Sequence, residues 1–459
     1  MLNYIKNNTP YFKRMMIIAI PIMVQNGVTN FVSMLDNIMV GRTGTLQMTG
    51  VSIVNQLIFV FNLCIFGAMS GAGIFTAQFF GKKDNAGIKN TLQFKLVATV
   101  LLTIVGVLVF VFLGDTLISA YIQNDSDPND ILLVTGYCKS YLKIMLIGTL
   151  PFALSQAYAS TLRETTDRVI PMVATVTAVF VNLIFNYILI FGKFGAPEMG
   201  VDGAAIATVI SRFVEFAILL IWTHTHPKKY PFIPKLLTET TITIQQIKKI
   251  AVVSAPLMIN EALWSGGMAF LNQSYSMRGL DVMASMNIAS TLNNVFSVAF
   301  IAFGSAIGII LSQLLGAGKK QDAKKAAYAM LFFAVVVVCF IGAAMTVFSG
   351  IFPKIYNTEE EIRHLASQLI LIIAVFMPVH SFVNACYFTL RSGGKTFITF
   401  LFDSGFVWLV SVPIAFCLSR FTSVPILPLY IAVSAADLIK CVLGFAFMRK
   451  GIWLNTIVE

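Results

Sequence analysis

Residues 73–83 read GIFTAQFFGKK, and residues 308–320 read GIILSQLLGAGKK. The second stretch repeats the first 235 residues later, so that Gly73 meets Gly308, Gln78 meets Gln313 and Gly81 meets Gly316. Leucines and isoleucines match by chance in an apolar chain. Glycine and glutamine at fixed spacing are scarcer, and their coincidence marks an internal repeat. The same offset joins Pro21 to Pro256, Met23 to Met258, Phe61 to Phe296 and Ser70 to Ser305. Further along the offset becomes 228, where Thr161-Leu162-Arg163 meets Thr389-Leu390-Arg391 and Arg212 meets Lys440.

The repeated unit is built for lipid. Hydrophobic residues make up 57% of the 459-residue chain and charged residues 12%, with a mean hydropathy of +0.81. An average soluble domain carries roughly 25% charge, and 12% cannot supply the polar shell that a soluble core of this size needs. Twelve apolar stretches are each long enough to cross a hydrocarbon core about 30 Å thick, which takes roughly 20 helical residues. They lie near 14–41, 46–79, 90–113, 131–161, 169–192, 201–222, 248–276, 283–315, 323–350, 361–390, 396–419 and 425–448. Their length excludes the short alternating strands of an outer-membrane barrel. The basic start before residue 14 resembles a signal peptide, but the apolar run is too long and lacks a prompt cleavage site, so it reads as an uncleaved first helix. The six cysteines show no metal-ligand or CxxC spacing and read as small buried apolar residues.

An even number of spans puts both termini on one side. That side then carries 22 of the 32 Lys and Arg residues, among them Lys6, Lys82, Lys95, Lys228 and Lys319, and the other side carries eight. The bias makes both termini cytoplasmic. The net charge of +11 therefore reports topology and implies no nucleic-acid partner. The acidic groups Asp125, Asp127, Asp130 and Glu359, Glu360, Glu361 fall outside. One polar segment, His224 to Lys249, divides the chain near its middle. The expected fold class is an all-α polytopic membrane protein of two pseudo-symmetric six-helix bundles, 1–222 and 248–459, joined by a cytoplasmic loop at 223–247. Six spans per copy make the repeats parallel, related by an axis along the membrane normal, with a central cleft between them.

Over essentially its whole length the chain resembles the multidrug and toxic compound extrusion (MATE) transporters. The resemblance is carried by Pro21-x14-Asp36-x4-Gly41 in the first span and by residues 182–212, NLIFNYILIFGKFGAPEMGVDGAAIATVISR. The Gln78-x2-Gly81 and Gln313-x2-Gly316 segments and LRSGGKT at 390–396 add to it. It implies a multi-pass inner-membrane antiporter, expected to be monomeric, that exports organic, often cationic and amphipathic compounds against protons or sodium. Its partners would be the bilayer, small organic substrates and the coupling cation, with no other cofactor.

Ionisable residues inside spans are costly and are read first as functional. They are Asp36, Arg212, Glu215, Glu261, His380, Asp403, Asp437 and Lys440. Asp36 has Asn26, Asn30, Ser33 and Asn37 around it, recurring at helical spacing as a polar stripe. Asn182 and Asn186 are four apart, hence on one helix face. With the Thr208 hydroxyl they can complete an oxygen cage around a hard monovalent cation such as Na+. The resemblance implies the same set as the cation site of the first half. Some relatives carry Asp where this chain has Asn186, so one carboxylate is missing here. In the second half Glu261 lies beside Asn260 and Trp264, as coupling or cleft residues. One branch of the family pairs such a Glu with an Asp in the tenth span, where this chain has His380. A Glu261/His380 pair suits protons, since histidine titrates near neutrality, and suits sodium poorly. Arg212 with Glu215, and Asp437 with Lys440, are three apart and read as local neutralising pairs. Asp403 shows no partner in the sequence.

Two other classes compete. A flippase for a lipid-linked saccharide shares the two-bundle plan but needs several basic residues in the cleft, and only Arg212 and Lys440 are intramembrane. An enzyme is excluded on motifs: there is no HExxH, GxSxG or phosphate-binding loop.

Overall fold

The computed structural model describes residues 2–121, 127–165, 167–236, 238–239, 242–356 and 358–458, with side chains from residue 8 onward. Asp125 and the Lys6 side chain lie outside the described residues. The chain is helical almost throughout: α1 (Leu2–Gly41), α2 (Thr45–Lys82), α3 (Asn85–Ser119), α4 (Pro128–Ile147), α5 (Thr149–Glu164), α6 (Val169–Ile190) and α7 (Gly200–Thr225). A connecting segment leads to α8 (Ile244–Ser276), α9 (Leu280–Gly316), α10 (Lys320–Ser349), α11 (Glu360–Ser392), α12 (Thr396–Phe421) and α13 (Ile426–Lys450). In lipid every backbone donor must be satisfied within its own segment, which is why apolar runs of this length become helices.

Ten of these helices are long and apolar enough to span a membrane. The pair α4 and α5, bent by 44° at Gly148, makes an eleventh. The twelfth is α8: its 33 residues exceed the crossing length although it carries Lys248, Lys249 and Glu261. The fold is thus the expected twelve-span, all-α polytopic architecture. Large apolar side chains on the outside, such as Phe112, Phe340 and Leu409, are the surface that such a protein offers to lipid. Cys339 and Cys417 belong to that outer surface, which corrects the reading of all six cysteines as buried. Apolar character in a span fits lipid as well as a protein interior.

The helices sort into two compact units. One comprises Val24–Thr76 and Asn85–Ala251, and the other Met1–Met23, Ala77–Asp84 and Val252–Glu459. The chain therefore changes unit within α1 and within α2. The core of the second unit gathers Met15 and Ile18 of α1, Phe303 and Ile307 of α9, Met330 of α10 and Met377 of α11. Trp453 of the C-terminal tail, fully buried, closes it.

The repeated motif explains one close crossing in this unit. A Cβ on Gly81 would run into the Gln313 carbonyl, and one on Gly316 into the Gln78 carbonyl. The two copies of the motif thus pack on each other reciprocally, backbone to backbone, as small residues permit in membrane helices. The C-terminal tail is fastened to the same place. Gln78 Nε2 donates to the carbonyls of Ser392 and Asn455, and Gln78 Oε1 accepts from Ile457 N at 2.8 Å.

Candidate cation site

In the first unit α1, α6 and α7 bring Asp36, Asn182, Asn186 and Thr208 together. Asn186 Nδ2 donates to Asp36 Oδ1 at 2.7 Å and lies 3.2 Å from Asn182 Oδ1. Asn182 Nδ2 is 3.2 Å from the Thr208 hydroxyl. With the Asn182 amide turned over, its nitrogen donates to both Asp36 oxygens, at 3.1 and 2.9 Å, and its oxygen accepts from Thr208. The turned orientation gives the carboxylate three amide hydrogen bonds. Asn182 and Asn186 are buried, whereas Asp36 and Thr208 are half-buried. Asn186 Oδ1 is buried and accepts no hydrogen bond among the described residues. No basic side chain of the described residues stands within ion-pairing distance of Asp36. The site is therefore one carboxylate among neutral oxygens and amides, with an acceptor to spare, and the donor set fits a hard monovalent cation or a proton. Asn30, Ser33 and Asn37 of the stripe are exposed, while Asn26 is half-buried.

A second polar line runs through this unit. Arg163 Nη1 donates to Gln25 Oε1 at 3.4 Å, Gln25 Nε2 to Thr175 Oγ1 at 2.8 Å, and Thr175 Oγ1 to Glu215 Oε1 at 2.6 Å. Arg212 does not close on Glu215 as the spacing suggested. It lies over the Phe152 ring, 5.1 Å from its centroid. Thr175 reaches the carboxylate first, because α6 packs directly on α7. Lys95, counted with the cytoplasmic side, is fully buried in α3. Its ammonium bonds Glu164 Oε2 at 2.6 Å and the Ser160 and Thr161 hydroxyls at 3.0 and 3.1 Å.

In the second unit the pairs also differ from those expected. Lys440 bonds Asp403, Nζ to Oδ1 at 2.8 Å. Asp437 pairs with His380, Oδ2 to Nε2 at 3.5 Å. His380 is thus not Glu261's partner, and Asp437 is not Lys440's. Side chains three apart share a helix face, but here each meets a nearer group on a neighbouring helix. Asn260 Nδ2 donates to the other Asp403 oxygen at 3.1 Å, while Asn260 Oδ1 accepts from the Ser404 hydroxyl at 2.8 Å. Glu261 is within electrostatic reach of Arg391, Asp403 and Tyr387. Trp264 is exposed on the α8 surface. Asp403 sits in a widened π turn, Leu401–Gly405, followed by a second at Val407–Ser411. Such turns recur at functional positions. The only sequence signal for Asp403 was an isolated acid in an apolar span.

A family model described as MatE matches residues 21–188 and 256–417. Its two blocks begin at the prolines that the repeat aligned. A probable multidrug resistance protein NorM of Thermotoga maritima is 26% identical over 98% of this chain and 95% of its own length. A probable multidrug resistance protein YoeA of Bacillus subtilis is 22% identical, over 97% and 95%. Among solved structures, an outward-facing multidrug resistance MATE family transporter of the MOP superfamily has a TM-score of 0.86 at 18% identity, covering 96% of this chain and 95% of that one. A MOP superfamily transporter from Pyrococcus furiosus has a TM-score of 0.81 at 18% identity, with the same coverage. These two likenesses speak to the fold.

Proposed function

The chain belongs to the MatE family, the multidrug and toxic compound extrusion transporters, and from that premise we propose that it is a secondary antiporter. It exports organic, cationic or amphipathic compounds in exchange for H+ or Na+ bound at Asp36. Membership makes it a multi-pass membrane protein of a transporter family rather than an enzyme family. The finer reading adds a monomer in the inner membrane with both termini cytoplasmic, working with no cofactor beyond the coupling ion.

One observation carries the choice of site. Among the described residues Asp36 is a carboxylate served only by neutral partners, Asn182 and Asn186, beside the unclaimed oxygen of Asn186. Such a group is stable when protonated or cation-filled, and bare it attracts a cationic substrate. A monovalent ion moving down 100 mV supplies about 2.3 kcal/mol. That energy drives export when ion and substrate favour opposite-facing states or compete for one carboxylate. The flippase reading gains nothing here, because Lys440 is committed to Asp403.

The test is efflux of a lipophilic cationic dye from vesicles under an imposed sodium gradient and, separately, a proton gradient. Asp36→Asn keeps the shape and removes the charge. It is expected to insert and fold normally and to lose at least about tenfold in ion-driven efflux, the loss that accompanies roughly 1.4 kcal/mol of coupling. Asn186→Ala and Asn182→Ala should act in the same direction, more strongly if sodium is the ion. Near-normal efflux by Asp36→Asn at matched expression, under both gradients, would remove Asp36 from the role.

A further inference from the structure

The acids of the two units are provided for differently. Asp36 has amide partners and no basic side chain at ion-pairing distance among the described residues. Asp403 has a cation built in. Lys440 Nζ stands 2.8 Å from Asp403 Oδ1, and the two side chains are 6% and 19% exposed. Asn260 occupies the other carboxylate oxygen. Asn260 is itself held by Ser404, whose hydroxyl lies 2.7 Å from the Asn260 carbonyl and 2.8 Å from its Oδ1. The ammonium also lies over the rings of Phe402 and Phe406, 5.4 and 5.8 Å from their centroids. Aromatic faces hold a cation in place when water is excluded.

The surrounding charges follow the same plan. Glu261 has Arg391 within electrostatic reach, and Asp437 has His380 at 3.5 Å with Lys440 one turn away. The charged and titratable groups around Asp403 and Lys440 include Glu261, Tyr387, Arg391, His380, Asp437 and the Cys441 thiol. Both Asp403 oxygens are taken, one by the ammonium and one by the Asn260 amide. A free ion competing for it must displace a tethered group whose local concentration far exceeds that of any dissolved salt. Displacement would leave a buried ammonium without its partner.

We propose that Lys440 is a resident counter-cation that fills the Asp403 site, so that the second unit takes up no exchangeable metal cation there. The inference rests on the antiport reading for its meaning. Its test does not depend on transport.

Radiosodium binding is counted on the full-length protein in lipid nanodiscs at pH 8. Lys440→Met removes the ammonium and keeps the apolar stem, exposing Asp403 to solution ions. The expected result is one additional sodium per chain relative to wild type. The double variant Lys440→Met/Asp403→Asn should return to the wild-type count. A folded Lys440→Met protein that binds no more sodium than wild type overturns the proposal. Should Lys440→Met be too unstable to purify, Lys440→Ala is unfolded thermally with and without ethylammonium. Stabilisation of Lys440→Ala, but not of Lys440→Ala/Asp403→Asn, supports the resident cation. No stabilisation, with the double variant folded, overturns it. Failure of the Asp36 reading would appear elsewhere, as undiminished efflux by Asp36→Asn.

Discussion

Asp167 stands in the connection between α5 and α6, and four donors converge on its carboxylate. Oδ1 accepts from Val169 N and Ile170 N at 3.2 and 3.3 Å, at the start of the helix that carries Asn182 and Asn186. Oδ2 accepts from Lys229 Nζ at 2.5 Å and from the buried Tyr230 hydroxyl at 2.6 Å. Burial acts to raise the carboxyl, but the hydrogen bonds from Lys229, Tyr230 and Ile170 outweigh it and hold the group below the usual carboxylate range. A folded-state pKa depressed in this way contributes stability that is fully present above the unfolded value, about 3.9, and lost as pH falls through the folded one. Asp167→Asn should therefore be less stable at pH 7 by about 1–3 kcal/mol, the usual worth of hydrogen bonds to a charged group. Its unfolding midpoint should also depend less on pH below about pH 4 than that of wild type. Denaturation in detergent across pH 3–7 is the measurement, and parallel curves would sink the assignment. At this scale the sequence was legible where scarcity and helical spacing did the selecting. Asp36, Asn182, Asn186 and Thr208 stood out as polar groups in apolar spans and do lie together. The partner of Asp403 was not legible. Lys440 is on another helix 37 residues away, and no spacing rule reaches across helices.

The helices themselves were easier to read than their interruptions. Ten spans follow from apolar length, an eleventh from the bent pair α4 and α5, and α8 from length alone. The bend at Gly148 and the π turns of α12 do not, because a single glycine or an extra residue in a turn leaves the apolar pattern unbroken. The repeated glycines did carry information, and its physical content is a helix crossing. At Gly81 and Gly316 any side chain meets a facing backbone carbonyl, which cannot move aside as a flexible side chain would. Gly81→Ala and Gly316→Ala should each destabilise the protein by about 1–3 kcal/mol, the usual cost of overpacking. Gly136 in α4 is the control, since nothing lies within 4 Å of a Cβ placed there. Alanine at 136 should be neutral or stabilising by up to about 1 kcal/mol through helix propensity. Thermal unfolding of the three variants in one detergent distinguishes them. If Gly81→Ala and Gly316→Ala behave like Gly136→Ala, the reciprocal contact does not hold the two motifs together.

At the scale of the molecule, the repeat and the charge bias make one joint claim about orientation. Twelve spans return the chain to its starting side, and six spans per copy give both copies the same sense across the bilayer. With 22 Lys and Arg residues on one side against eight on the other, the expected cytoplasmic side is the one that holds both termini. The connecting segment is held by its own contacts. Lys229 and Tyr230 bond Asp167 at the α5–α6 turn, and Gln93 of α3 donates to the carbonyls of Leu236 and Glu239 at 2.8 and 2.6 Å. The segment is thus fastened to helix ends that the charge count would place on the cytoplasmic side. Lys354, in the turn after α10, is expected on the opposite side. In a variant with its six native cysteines replaced, Lys235→Cys should resist a membrane-impermeant thiol reagent in intact cells and react once the membrane is opened. Lys354→Cys should react in intact cells. Replacing the native thiols is necessary because Cys339 and Cys417 lie on the outer surface of their helices. Labelling of position 235 from outside would overturn the cytoplasmic termini. Labelling of both positions from outside would also break the parity of the span count, and with it the parallel relation of the two copies.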